Sequence, residues 1–146
     1  MGSLVTVVSD PARRRLVIED CVALLEAEVD AKSGLSGLAI KAAYKAVKGA
    51  RPGMVPQSMD ALLDDFARAT DPLWQECQAK GQDPRSFFVS RKLDTANALL
   101  AITDARAQRS PHPTLVKAYQ GLRGVAVEHI GAAMPRLADL FVKHAR

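Results

Sequence analysis

Two of the three Asp-Pro dipeptides, Asp10-Pro11 and Asp83-Pro84, each stand directly ahead of apolar residues spaced three and four apart. The aspartate can accept from the first free amides of a helix, and proline in the first turn has no amide left unsatisfied. After Asp10, residues Ile18, Val22, Leu25 and Val29 form one helical stripe, widened by Val17, Cys21 and Leu24. Ser33-Gly34 ends that helix, and Ser36 is the expected cap of a second one running to about Lys48. Its inward face is predicted to be Ile40, Ala43, Tyr44 and Val47, with Gly49 as the stop.

The remaining punctuation divides the chain further. Arg51 to Pro56 reads as a linker that two prolines keep extended. Ser58 should open a helix with Met59, Leu62, Leu63 and Phe66 on one face, and Asp71-Pro72 should restart the chain as a short helix carrying Trp74 and Cys77. Asp83-Pro84 leads a long helix to about Gln108, with Val89, Leu93, Ala96, Leu100 and Thr103 inward. Ser110 to Pro113 break it, Thr114 caps the next, and Leu115, Tyr119, Leu122, Ala126, Ile130 and Ala133 keep the period. Pro135 ends or kinks that helix before a last one with Leu137, Leu140 and Phe141. Nothing past residue 10 alternates with period two, and Leu4 to Val8 has no partner strand, so helix or coil is expected there. The expectation is an all-α chain: a compact bundle of six or seven helices with mostly antiparallel neighbours, residues 10–146 forming one helical domain behind a flexible N-terminal segment, 1–9.

Composition narrows the class. At 146 residues, 48% hydrophobic and 25% charged, the chain has the size and apolar content of one ordinary domain, which excludes collagen-like, disordered and disulfide-scaffold classes. Cys21 and Cys77 lie in predicted helices and read as two reduced thiols. No apolar run approaches the ~18 residues a bilayer span needs, and the start lacks a basic region like that of a signal peptide. A soluble, cytoplasmic protein is expected.

Charge comes in blocks. Residues 1–30 carry −3, residues 31–59 carry +5 without an acid, and residues 60–83 carry −4. Residues 105–127 carry +4, again without an acid. Alternating blocks suit segments that neutralise one another on packing, whereas nucleic-acid binders more often show a uniform basic surplus.

Several chemistries lack their residues. No Glu has a His three positions on, and His112, His129 and His144 are too far apart for a local zinc motif, so no metal is expected. His129 reads as a boundary residue. No nucleophile elbow, Walker loop or dinucleotide fingerprint occurs, so no catalytic residue and no cofactor is assigned. The acids Glu19-Asp20, Glu26/Glu28/Asp30 and Asp64-Asp65 read as solvated helix faces. Trp74, Phe87 and Phe88 are read as core rather than a surface patch, with adjacent Phe87 and Phe88 unable to face inward together.

The segment richest in site material is Lys32-Ser33-Gly34-Leu35-Ser36-Gly37 and the helix after it. Lys41, Lys45 and Lys48 fall within about 60° of one another around a helix, taking ~100° per residue. Free amides at the helix start, loop glycines and nearby Lys32 make Lys32, Gly34, Ser36, Gly37, Lys41, Lys45, Lys48 and Arg51 candidates for binding an anion or a nucleic-acid backbone. The competing reading is structural: Gly34 ends a helix, Gly37 lets two helices approach, and Glu19, Asp20, Glu26 and Glu28 neutralise the lysines across a hairpin. The basic residues of 105–127, with one inward aromatic, Tyr119, make a weaker case.

The stretches Ser33 to Lys45, Pro52 to Phe66 and Thr103 to Arg106 resemble a family of small bacterial all-α proteins with no assigned function. The resemblance covers most of the chain and implies an all-α domain without supplying a catalytic residue. The function expected is therefore that of a non-enzymatic helical domain that binds a protein partner or another copy of itself. Alternatives are an anion or nucleic-acid binder using residues 32–51, and a small-molecule pocket or enzyme inside the bundle.

Overall fold

A computed structural model describes residues 3–50 and 53–145; the side chains of Ala50 and Leu115 lie outside the description. Eight helices and no strand occur among the described residues: α1 (Leu4–Ser9), α2 (Pro11–Ala31), α3 (Gly34–Ala50), α4 (Met54–Lys80), α5 (Pro84–Ser90), α6 (Lys92–Arg109), α7 (Pro113–Ala132) and α8 (Met134–Ala145). The all-α expectation holds, with more helices than the six or seven expected. Both Asp-Pro starts behave as their chemistry requires. Asp10 accepts from the Ala12 amide at 3.1 Å, and Asp83 accepts from the Ser86 amide at 3.0 Å.

Three elements differ from expectation, each because of a contact with another segment. First, α4 begins at Met54, so Val55 and Pro56 are helical rather than extended, and the helix then runs through Pro72 without restarting. Asp71 does not cap a new helix because its carboxylate is spent elsewhere: Oδ1 accepts from the Leu4 amide at 2.9 Å, satisfying the first turn of α1. Second, residues 4–9, expected as helix or coil in a segment of their own, form helix α1 and pack on the other helices, burying Leu4, Val7 and Val8 against α2, α4 and α8.

Third, the long helix expected over 84–108 is two helices. Arg91, with φ −108° and ψ 25°, separates α5 from α6. Its guanidinium bridges Glu76 and Asp94, at 2.5 and 2.7 Å, and lies over the Phe87 ring at 5.5 Å. The break resets the helical phase. Phe87 and Phe88 are both buried, contrary to expectation, because α5 is a short plug that neighbours cover on more than one side. Val89 and Leu93, expected inward, are 45% and 59% exposed, while Ala96 and Leu100 keep their places in the core.

The core centres on a chain of edge-to-face rings. Trp74 meets Phe141 at 5.8 Å, Phe141 meets Phe88 at 5.2 Å, and Phe88 meets Phe87 at 5.2 Å. These rings join α4, α5 and α8, and Met134, Ala138, Cys77 and the apolar residues of α1 fill in around them. Such pairs add about 0.5–1.5 kcal/mol each beyond the area they bury.

Charged residues pair across helices, between blocks of like net sign as well as of opposite sign. Arg14 of α2 binds Asp60 and Asp64 of α4, both at 2.8 Å, and also donates to the Val8 carbonyl at the end of α1. Arg13 donates to the His144 carbonyl at the end of α8. These bonds account for arginines placed at the positive end of α2 against its dipole. Asp20 binds Lys143 and His144, Arg85 binds Asp139, and Asp104 binds Arg123. The partnered carboxyls of Asp20, Glu26, Glu76, Asp104 and Asp139 are all held below the usual range, chiefly by hydrogen bonds from Lys143, Tyr44, Lys80, Arg123 and Arg85 respectively.

Two outcomes follow. Phe88→Ala should cost about 3–5 kcal/mol in urea denaturation, while Val89→Ala and Leu93→Ala should change stability by less than about 1 kcal/mol. Carboxyls with depressed folded-state pKa values stabilise the fold when ionised, fully so above their unfolded range of about 3.9–4.3 and progressively less as pH falls through the folded values. Urea midpoints should therefore hold from neutrality to about pH 5 and drop steeply below about pH 4.

Candidate functional site

The basic segment divides along its length once folded. Lys32, the C-cap of α2, turns inward: its Nζ binds Glu28 Oε1 at 3.1 Å and donates to the His129 carbonyl of α7 at 3.2 Å. Glu28, expected on a solvated face, is 7% exposed and also binds Arg136 of α8. Ser36 is not a cap; it lies inside the first turn of α3, where its hydroxyl meets His129 Nε2 at 3.3 Å. Gly34 opens α3 with φ +75°, a conformation side chains disfavour. Gly37 is buried in the tight α2–α3 corner, where a Cβ would come 2.9 Å from the Lys32 carbonyl carbon.

Farther along α3, Glu26 of α2 accepts from Tyr44 at 3.1 Å and from Lys48 at 3.3 Å, and the Lys48 ammonium lies 5.5 Å from the Tyr44 ring centre. Burial first, and Glu26 second, push the Tyr44 hydroxyl up to about 12. Of the acids expected alongside Lys48 and Lys41 across the hairpin, only Glu26 reaches Lys48; Glu28 pairs with Lys32 and with Arg136 of α8, Asp20 with α8, and Glu19 with Arg15. Lys41 and Lys45 make no ion pair among the described residues. Arg51 lies outside the described residues.

What the sequence did not single out is the opposite side of α3. Leu35 is 89% exposed and Leu38 63%, and Ala39, Ala42, Ala46 and Gly49 are exposed on the same side. Counting ~100° per residue, these six fall within about 100° of arc, flanked on one edge by Lys45 and Lys41. Ile40, Ala43, Tyr44 and Val47, the predicted inward residues, are half-buried on the other side. A helix apolar on two faces was visible in the sequence as a second stripe; its signal was masked because the first stripe already explained the helix.

Reactive groups are muted elsewhere. Burial, then Asp20, push the Cys21 thiol up to about 12, so it is not a thiolate near neutrality. Cys77 is fully buried, with Sγ 3.4 Å from the Gln82 carbonyl it donates to. Among the described residues, no three His, Cys, Asp or Glu side chains group closely enough to hold a metal ion. No helix is long and apolar enough to cross a membrane, also among the described residues.

Glu28 and Lys32 form the most buried ion pair of the segment, so removing one member strands the other. Glu28→Ala should cost about 3 kcal/mol by urea denaturation, and Glu28→Met with Lys32→Met should recover most of that loss.

No curated protein and no solved structure matches this chain. One family model matches residues 4–145, nearly the whole length, and its match spans α1 through α8 together with the basic segment. The chain belongs to that family, a family of unknown function (DUF6918).

Proposed function

We propose that this chain is a non-enzymatic interaction module, acting in a reducing cytoplasm, whose docking surface is the outer face of α3 and whose occupant is a second copy of itself. The observation that carries the reading is the exposure of Leu35 and Leu38 on a face otherwise built from Ala39, Ala42, Ala46 and Gly49. Contiguous apolar surface of this kind is expensive to leave in water and marks interaction sites.

The face is graded in size, bulky at its N-terminal end and small at its C-terminal end. A two-fold partner lying antiparallel, with its axis near Ala42, sets Leu35 and Leu38 over the partner's Gly49 and Ala46. Large side chains then fall on small ones, and the small residues allow close helix approach. Because one helix face is a small interface, association is weak, with dimer populated at about 10–100 μM chain.

Electrostatics gives the arrangement a signature. The same two-fold axis places Lys41 of one copy beside Lys45 of the other along a shared edge, so like charges oppose association and salt relieves them. An anion bridging Lys41 and Lys45 would act in the same direction as salt. The free thiols of Cys21 and Cys77 suit the reducing compartment.

Light scattering after size exclusion, over about 10–100 μM chain, tests this. The dimer fraction should rise with ionic strength, vanish in Leu38→Glu, and rise in Lys45→Glu, which turns each Lys–Lys contact into an ion pair. A strict monomer across that range, or a dimer indifferent to both substitutions, removes the reading.

A further inference from the structure

The two ends of the bundle are filled differently. Around Trp74, Phe88 and Phe141 large rings fill the interior, leaving a smaller apolar pocket of about 190 Å³ beside Phe141 and α1. At the other end, α2, α4, α6, α7 and α8 line a partly open apolar cavity of about 380 Å³. Its wall is built chiefly by Leu24, Leu25, Phe66, Leu99, Leu122 and Leu137, and Ile40 of α3 closes one side. Protein interiors ordinarily pack to crystal density, with few voids larger than a water molecule. A hollow this large and this apolar has the volume of a ligand site.

The polar groups at its margin decide what kind of ligand it can take, because each is already engaged. Lys32 holds Glu28 and the His129 carbonyl. Arg123 makes a forked contact with Asp104, at 2.9 and 3.0 Å. The Tyr119 hydroxyl lies 2.5 Å from Asp104 and 2.7 Å from the Thr103 hydroxyl. His129 Nε2 faces Ser36. A carboxylate or ammonium entering the cavity would meet no unpaired opposite charge and would lose its hydration.

We propose that this cavity binds an uncharged, largely apolar small molecule, of a size on the order of 10–15 carbon atoms. Recognition is by shape and desolvation, and Ile40 of α3 supplies part of the wall. The proposal does not depend on self-association, since the outer face of α3 takes no part in it.

The test uses the full chain and N-phenyl-1-naphthylamine, a neutral dye that fluoresces in apolar surroundings. Its fluorescence should rise at one site per chain, and 1-dodecanol should displace it at least about tenfold more effectively than ionised dodecanoate or dodecylammonium. Ala126→Phe and Ala133→Leu fill the cavity from its wall. Whichever of them keeps a cooperative melt should lose dye affinity by about tenfold or more, while Leu38→Glu should bind the dye unchanged. The proposal fails if wild-type chain gives no saturable fluorescence, if dodecanoate competes as well as dodecanol, if a folded filling variant binds like wild type, or if Leu38→Glu abolishes binding.

Discussion

The fold depends on the contact between α4, α5 and α8 made by Trp74, Phe141, Phe88 and Phe87. In a chain with only 5% aromatic residues, most of the large rings are gathered in one place. Edge-to-face geometry and burial let them fix α8 against the consecutive helices α4 and α5, from which it is far removed in sequence. Once those helices are placed, the amphipathic face of α8 has a partner, α1 has a floor, and Asp71 stands where the first amide of α1 needs an acceptor.

Electrostatics does secondary work around that core. Most ion pairs link one charge block to another, from Arg14 with Asp60 and Asp64 to Asp104 with Arg123, and they are largely accessible to water. Exposed pairs contribute little individually, so their value lies in registering helices that apolar contacts alone would let slide. Glu28 and Lys32 differ: both are withdrawn from water, and the Glu28 carboxylate ties the end of α2 to Arg136 of α8 as well. That arrangement consumes the first of the lysines that made the segment look like an anion site. It leaves positive charge concentrated at Lys41 and Lys45 on the edge of an exposed apolar face.

Much of the fold was legible because helix signals are local. Capping aspartates, first-turn prolines and three-four spacing act within a few residues, so the starts of α2 and α5 and the inward positions Val17, Val29, Ala96 and Leu100 could be read directly. The misplaced features have long-range causes. Pro72 does not begin a helix because Asp71 is committed to Leu4, 67 positions away. Val89 and Leu93 turn outward because Arg91, held by Glu76 and Asp94 and stacked on Phe87, interrupts the helix and shifts its phase. The candidate site was half legible: the lysines were found, but Glu28 was taken for a surface acid, since nothing local distinguishes an acid whose partner arrives from α8.

By itself the sequence determined helical character, helix polarity through its caps, and the alternation of charge along the chain, because each rests on interactions between near neighbours or on composition. Tertiary structure alone decided which acids are buried, which of two apolar stripes on α3 faces water, and where the interior is left hollow. Those properties depend on what a second element brings to a residue's surface, and burial is a relation between distant segments that no local pattern encodes.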